Sequence, residues 1–284
     1  MTVRPARRLG GPGRRTRPIR RSSAGLTPAR AGSILAMLLS AGAIYGLAST
    51  SAFSYSRLLI EGTTIVADAA VREELALPEG ENLFEIVSEP LETRLRGIPA
   101  VADAEVSIGL PDTVKVRIEE REPLLVWRVG ERRWYVDRTG FLFAQVGQSP
   151  PPEAATLPLV SDDRSASLAL RVGHTIAPID LDVATRLGSL TPAQVGSSAA
   201  GLAVGVTDEN GFVLSSSPKS WVAVFGFYGR SLRTPDLVEG QVQLLDALLT
   251  EAGEPNVALI ILADDRDGTY IPKESPSPSP SAAP

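Results

Sequence analysis

Between Arg30 and Arg57 the chain carries no charged side chain, and residues 31 to 53 read AGSILAMLLSAGAIYGLASTSAF. A run of this kind constrains the fold more than anything else in the sequence, because it needs an apolar surrounding along its whole length. As a helix it extends about 34 Å, enough to cross the hydrocarbon layer of a bilayer. Residues 1 to 30 hold nine arginines and no acid, and a flank this basic stays on the cytoplasmic side while the segment after the span is exported. The expected arrangement is a disordered basic leader over 1–30 and a transmembrane helix over 31–53 in the lipid bilayer. The N-terminus is then cytoplasmic and the C-terminus extracytoplasmic. The competing reading is a cleaved signal peptide, since the apolar centre Ile34 to Leu47 is short and Gly46 to Ala48 offers small residues for cleavage. Against it, a 30-residue basic leader is long for a secretory n-region.

The net charge of −5 averages two unlike parts: beyond residue 30 there are 19 basic and 33 acidic groups, a balance of −14. An acidic exported portion is a poor nucleic-acid binder, and none is expected as a partner. A hydrophobic content of 43% over 284 residues supplies a core for one large or two modest domains. The absence of cysteine excludes disulfides and cysteine-ligated metals. After Lys273 the alternation ESPSPSPSAAP reads as a solvated Ser/Pro-rich tail over 273–284.

Within the exported part, Leu58 to Ile60 reads as a short strand closed by Gly62. A helix over Ala67 to Ala76 carries Val71 and Leu75 on one face, and Pro78 with Gly80 stops it. A second helix near Glu89 to Gly97 has Ser88 placed as its cap, Leu91 and Leu95 on the buried face, and Glu92 with Arg96 paired outside. Two strands follow, Ala104 to Leu110 and Val114 to Glu119. They alternate strictly around an LPDT turn, with Val106, Ile108 and Leu110 on one face of the first and Val114, Val116 and Ile118 on one face of the second. The order is strand, helix, helix, strand, strand.

From Leu124 the pattern changes to LLVWRV, RRWYVD and GFLFAQV, a meander with turns at Gly130-Glu131 and Arg138-Thr139-Gly140. Next come LPLVS, a helix over Asp182 to Leu190, and strands at Gly201 to Val206, Phe212 to Ser215 and Trp221 to Phe225. A late helix over Leu237 to Ala252 carries Val238, Val242, Leu245 and Leu249 at helical spacing. The strands VALIILA and DGTYIP close the chain around an acidic turn. The fold class is α+β: one N-terminal membrane helix, a small β-α-α-β-β domain over 56–122, and a β-rich domain over 123–272 with an antiparallel sheet and a late packed helix.

The ordered set of a basic leader, one span, Gly62, Gly80-x-Asn82-Leu83-Phe84, Pro99-x-Val101-x-x-Ala104, Leu110-Pro111-Asp112-Thr113 and Glu120-Arg121-Glu122-Pro123 resembles the bacterial division family FtsQ, called DivIB in many Gram-positive bacteria. Trp127, Tyr135-Val136-Asp137-x-x-Gly140 and Leu157-Pro158 extend the resemblance. It implies that the small domain is a POTRA domain and that the protein is a non-enzymatic scaffold of the divisome, located at the septum. FtsB-like and FtsL-like partners would be recruited by strand addition at the C-terminal edge, bringing septal peptidoglycan synthesis to the division site. Matched by element order, that edge lies near Gly268 to Ile271, with Tyr270 and Ile271 as partner-facing residues. The alternative is that these two simply complete the domain's own sheet. The chain departs from the family pattern at Ile260-Ile261-Leu262-Ala263 and near Gln241, where relatives commonly carry a lysine.

Several residues could carry chemistry instead. Ser216-Ser217-Pro218-Lys219 fits the S-x-x-K nucleophile motif of penicillin-recognising enzymes, which makes an exported peptidoglycan enzyme using Ser216 and Lys219 the rival reading. Its position between two strand patterns predicts a hairpin turn. Asp265, Asp267, Gly268 and Glu274 match some positions of a calcium loop, but Ala263 stands where the first ligand belongs. His174 is the only histidine and reads as a loop residue. Glu119, Glu120 and Glu122 read as a surface charge ladder with Arg117 and Arg121. The aromatic group Trp127, Trp134, Tyr135, Phe141 and Phe143 reads as core packing over carbohydrate stacking. No catalytic, metal or cofactor site is expected.

Overall fold

A computed structural model of the chain describes residues 28–48, 50–148, 150, 152–229 and 233–273. The basic leader up to residue 27, the tail from 274 and Glu274 of the calcium-like loop lie outside the described residues. Contacts divide the chain into two units, Met1–Ala52 and Phe53–Pro284.

In the first unit the charge-free run forms helix α1 (Pro28–Ala48), whose stretch Pro28–Gly46 is long and apolar enough to cross a membrane. The helix ends before Phe53, the last residue of the apolar run. Phe53 instead belongs to the second unit, where its carbonyl accepts from Leu83 N at 2.9 Å and its ring meets Phe84 edge-on at 5.2 Å.

The second unit opens with β1 (Arg57–Glu61), α2 (Asp68–Leu75), α3 (Ser88–Leu95), β2 (Val101–Gly109) and β3 (Thr113–Glu120). The element order is the one expected, and the sheet order is β1-β3-β2, with β1 parallel and β2 antiparallel to β3. Val71, Leu75, Leu91 and Leu95 of the helices close on Val114, Val116 and Ile118, all nearly inaccessible. Gly62 has φ +88°, and a Cβ there would stand 2.1 Å from Ile118 O, so the chain leaves β1 through a position only glycine fits.

Three local expectations fail. Ser88 is the first residue of α3, not its cap; Val87 takes the cap position, with no side-chain hydrogen bond. Leu110 is 60% exposed, because β2 ends at Gly109 and Leu110 already belongs to the turn. Glu120 and Arg121 do not form a surface ladder. The Glu120 carboxylate accepts from the backbone N–H groups of Thr64, Ile65 and Val66 at 2.7–3.0 Å, fixing the loop into α2. Arg121 bonds Asp137 at 2.9 Å and Pro99 O at 2.9 Å, and its guanidinium lies 4.9 Å from the Phe141 ring centre. Arg117 pairs with Glu61 on β1 at 3.9 Å, outside the expected ladder.

A nine-stranded sheet follows, built from β4 (Leu125–Val129), β5 (Arg132–Val136), β6 (Leu142–Gln145), β7 (Leu159–Asp162), β8 (Gly201–Thr207), β9 (Gly211–Ser217), β10 (Val222–Gly226), β11 (Val257–Leu262) and β12 (Gly268–Pro272). Its order is β12-β11-β10-β9-β8-β7-β4-β5-β6. Most neighbours are antiparallel, as expected, but β4/β7, β7/β8 and β10/β11 run parallel. Parallel neighbours need a long crossover: α4 (Pro178–Gly188) links β7 to β8, α5 (Leu237–Ala252) links β10 to β11, and the chain through β5 and β6 links β4 to β7. α4 begins four residues ahead of the expected Asp182, since Pro178 at the first turn is preset for helix and lacks only an N–H the helix does not use.

Both helices cover one face of the sheet, enclosing Trp127, Trp221, Phe212, Phe225 and Leu245 in one core. On the opposite face of the β4–β6 meander, Val126, Tyr135 and Phe143 join the core of the three-stranded unit. Trp127, Trp134, Tyr135 and Phe143 are thus packing residues, at 0–3% exposure.

Near the β9–β10 end, Glu254 accepts from the hydroxyls of Ser197 and Ser198, from Ser198 N at 2.8 Å and from the Trp221 indole at 2.8 Å. Burial pushes its carboxyl up, but these donors outweigh it and hold the pKa at about 2. A depressed folded pKa gives stability that is present above the unfolded value of about 4.5 and lost as pH falls toward 2. Glu254→Gln should therefore melt below wild type at pH 7, with the gap closing by about pH 2 in calorimetry.

Candidate functional site

The end strand β12 is exposed at every residue, and how it is held in place starts within α5. The buried stripe of that helix is Val238, Gln241, Leu245 and Leu249, so Gln241 takes the core position expected for Val242. Its Nε2 donates to Phe225 O at 3.2 Å and Leu262 O at 3.3 Å, the carboxyl ends of the parallel strands β10 and β11, and its Oε1 accepts from Tyr228 Oη at 2.6 Å. Burial holds the Tyr228 hydroxyl well above the ordinary range for a phenol, which keeps it a donor. Arg233 Nη2 reaches the same two carbonyls at 2.5 and 3.4 Å. Two side chains thus occupy the site where relatives were expected to place one lysine.

Beyond Leu262 the chain reverses. Ala263 N donates to Asp267 O at 2.8 Å, and Asp264 Oδ1 accepts from the backbone N–H groups of Arg266 and Asp267 at 2.8 and 2.7 Å. The acidic segment is therefore a self-capped turn, and no cluster of three metal-ligating side chains is present among the described residues. The turn sets β12 antiparallel to β11, with Ile260 opposite Tyr270 and Leu259 opposite Ile271. At the far end Lys273 N donates to Asn256 O at 2.7 Å and Lys273 Nζ to Ser220 Oγ at 2.9 Å.

Tyr270 and Ile271 are 39% and 49% exposed and, being adjacent, point to opposite faces of the sheet. Tyr270 shares the helix-covered face with the buried Ile260, and Ile271 the other face with Leu259. β12 completes the domain's own sheet through β11, and its other side is the sheet's edge. Hydrogen-bonded pairs alternate along an antiparallel ladder. Counting from the Ala263–Asp267 link, Gly268 and Tyr270 turn their N–H and C=O groups outward.

The enzymatic candidates fit less well. Ser216 is 2% exposed, and its Oγ accepts from Ser220 N at 2.6 Å and Trp221 N at 3.2 Å, closing the β9–β10 hairpin that the sequence predicts there. His174 lies in a loop whose carbonyl and neighbouring Gly173 N–H bond both backbone groups of Leu142. In sequence, the role of Gln241 could have been found from one signal, a polar side chain in the apolar stripe of a helix.

Comparison with known proteins matches residues 53–121 to the family described as POTRA domain, FtsQ-type. The cell division protein FtsQ of Streptomyces bingchenggensis is 34% identical over 131 residues, 46% of this chain and 49% of that protein. That of Mycobacteroides abscessus is 29% identical over 167 residues, covering 58% and 52% respectively. The FtsQ of Chloroflexus aurantiacus is 24% identical over 247 residues, covering 87% of this chain and 80% of the relative. The chain spans about half the length of the first two relatives.

Proposed function

We propose that this chain, which belongs to the FtsQ family of cell division proteins, is a membrane-anchored scaffold of the divisome with no catalytic activity of its own. α1 anchors it with the N-terminus cytoplasmic, and the folded unit stands outside the cytoplasm at the septum. FtsB-like and FtsL-like partners bind there, and through them septal peptidoglycan synthesis is recruited. The observation that carries the reading is the exposed β12 edge, fixed at both ends and unpaired on its outer side among the described residues. Such an edge offers backbone donors and acceptors to an added strand, while the side chains flanking it give selectivity.

Deleting Gly268 to Pro284 from the full-length protein should abolish pulldown of an FtsB-like partner while circular dichroism shows the rest still folded. Undiminished pulldown by the folded deletion would rule out strand addition at this edge. A fluorescent fusion of the undeleted chain should form midcell bands in the source bacterium, and uniform peripheral fluorescence would count against divisome membership.

A further inference from the structure

At the other end of the nine-stranded sheet, the β4–β5 hairpin sets Arg128 directly opposite Arg133. Like charges in this position repel, and a cross-strand pair is ordinarily filled with residues that attract. The chain beyond residue 30 carries 33 acidic against 19 basic groups, yet neither arginine forms an ion pair among the described residues. Arg128 donates to the Ser161 hydroxyl at 2.6 Å, and the Arg133 guanidinium makes no hydrogen bond with the described residues. The pair lines a concavity of about 750 Å³ together with the amides of Gln145 and Gln148 and one carboxylate, Glu131 at the hairpin tip. Arg128 also lines a second concavity of about 480 Å³, where Leu157, Leu159, Leu190 and Leu202 stand beside Ser161 and Ser217. Leu159 is 42% exposed there, although it pairs with the buried Val126.

The two hollows share Arg128 as a lining residue; the first carries both arginines and the second exposes leucine side chains. We propose that the two hollows together hold an extended acidic and aliphatic segment of a partner protein, its carboxylates on Arg128 and Arg133 and an aliphatic side chain over the exposed Leu159. Guanidinium forks take carboxylates in two parallel hydrogen bonds, and such a ligand removes the repulsion that the free pair carries. A simple inorganic anion would use the arginines and leave Leu159 uncovered. The site lies away from β12 and does not depend on strand addition there.

The chain contains no cysteine, so one introduced thiol reports on one place. A Cβ at Gly147, which lines the first hollow, meets nothing within 4 Å. The full-length Gly147→Cys protein, labelled with an environment-sensitive fluorophore in detergent, is titrated with a peptide alternating leucine and glutamate, and variants that leave the basic leader unchanged separate binding here from binding elsewhere. A saturable response is expected, weakened at least tenfold by Arg133→Glu even though that change raises the melting temperature by about 2 °C by replacing repulsion with attraction. Leu159→Asp should weaken the leucine–glutamate peptide similarly and leave a glycine–glutamate peptide unaffected. No response, or an unchanged one in Arg133→Glu, overturns the proposal. A response to inorganic polyphosphate equal to the peptide's, and insensitive to Leu159→Asp, overturns it in favour of a general anion site.

Discussion

Asp162→Ala is expected to lower the unfolding free energy by about 3 kcal/mol, measured by urea denaturation with an unchanged slope. Asp162 is fully buried at the end of β7, and each of its contacts is a donor aimed at the carboxylate. Arg164 reaches it through Nε at 2.9 Å and Nη2 at 2.8 Å, the Arg164 backbone N–H at 3.1 Å, the Ser167 hydroxyl at 2.6 Å and the Trp127 indole at 3.1 Å. Burial pushes the carboxyl up, but Arg164 and Ser167 outweigh it and hold the pKa below the ordinary value. Removing the acceptor leaves the indole and the hydroxyl without partners inside the core. Arg164 retains Asp180 at 2.6 Å and a partly exposed side chain, which keeps the loss at the low end of the range for a broken buried pair. The contrast is Asp182→Ala, which breaks the exposed pair with Arg186 at 2.8 Å and should change stability by less than about 0.5 kcal/mol. If the two substitutions cost the same, Asp162 is not the centre of a buried network.

How much of this was legible in sequence depended on the range of the interaction. The alternation Val114, Val116, Ile118 and the spacings Val71–Leu75 and Leu91–Leu95 are local, and each lies buried as the pattern requires. Helix α5 was placed to the residue, because Gly253 and Pro255 punctuate its end. Its buried stripe was misplaced by one position, since pattern reading favours the valine at 242 over the glutamine at 241. Only the distant carbonyls of Phe225 and Leu262 show why a polar group belongs in the core there. The same limit hid the roles of Glu120 and Asp162. Their partners at Thr64 to Val66 and at Trp127 are tens of residues away, and no local spacing encodes such a contact. The parallel joins of the large sheet were missed for a related reason: a hairpin is written in its turn, whereas a crossover is written in which strands end up adjacent. Tyr270 and Ile271 were found as exposed residues, but that they face opposite sides, so that the edge between them belongs to the backbone, required the register.

That geometry makes a sharper test than deletion. Tyr270→Pro is expected to abolish capture of the FtsB-like partner while leaving the folded unit close to wild-type stability, whereas Ile271→Pro should destabilise the protein itself. By alternation from the Ala263–Asp267 link, the Tyr270 N–H points away from β11 and the Ile271 N–H toward Leu259. Proline at 270 therefore removes a donor that only an added strand would use, and its ring blocks the approach of that strand; proline is tolerated on edge strands in this orientation. At 271 it breaks the strand's own ladder, at a cost of about 1–3 kcal/mol for the acceptor left unpaired. Tyr270→Ala separates backbone from side chain: if β12 binds through its edge, capture falls by much less than with Tyr270→Pro. Melting curves and pulldowns on the three variants together decide the matter. Full capture by a stable Tyr270→Pro protein would mean that the partner contacts the faces of the sheet and that the free edge plays no part in binding.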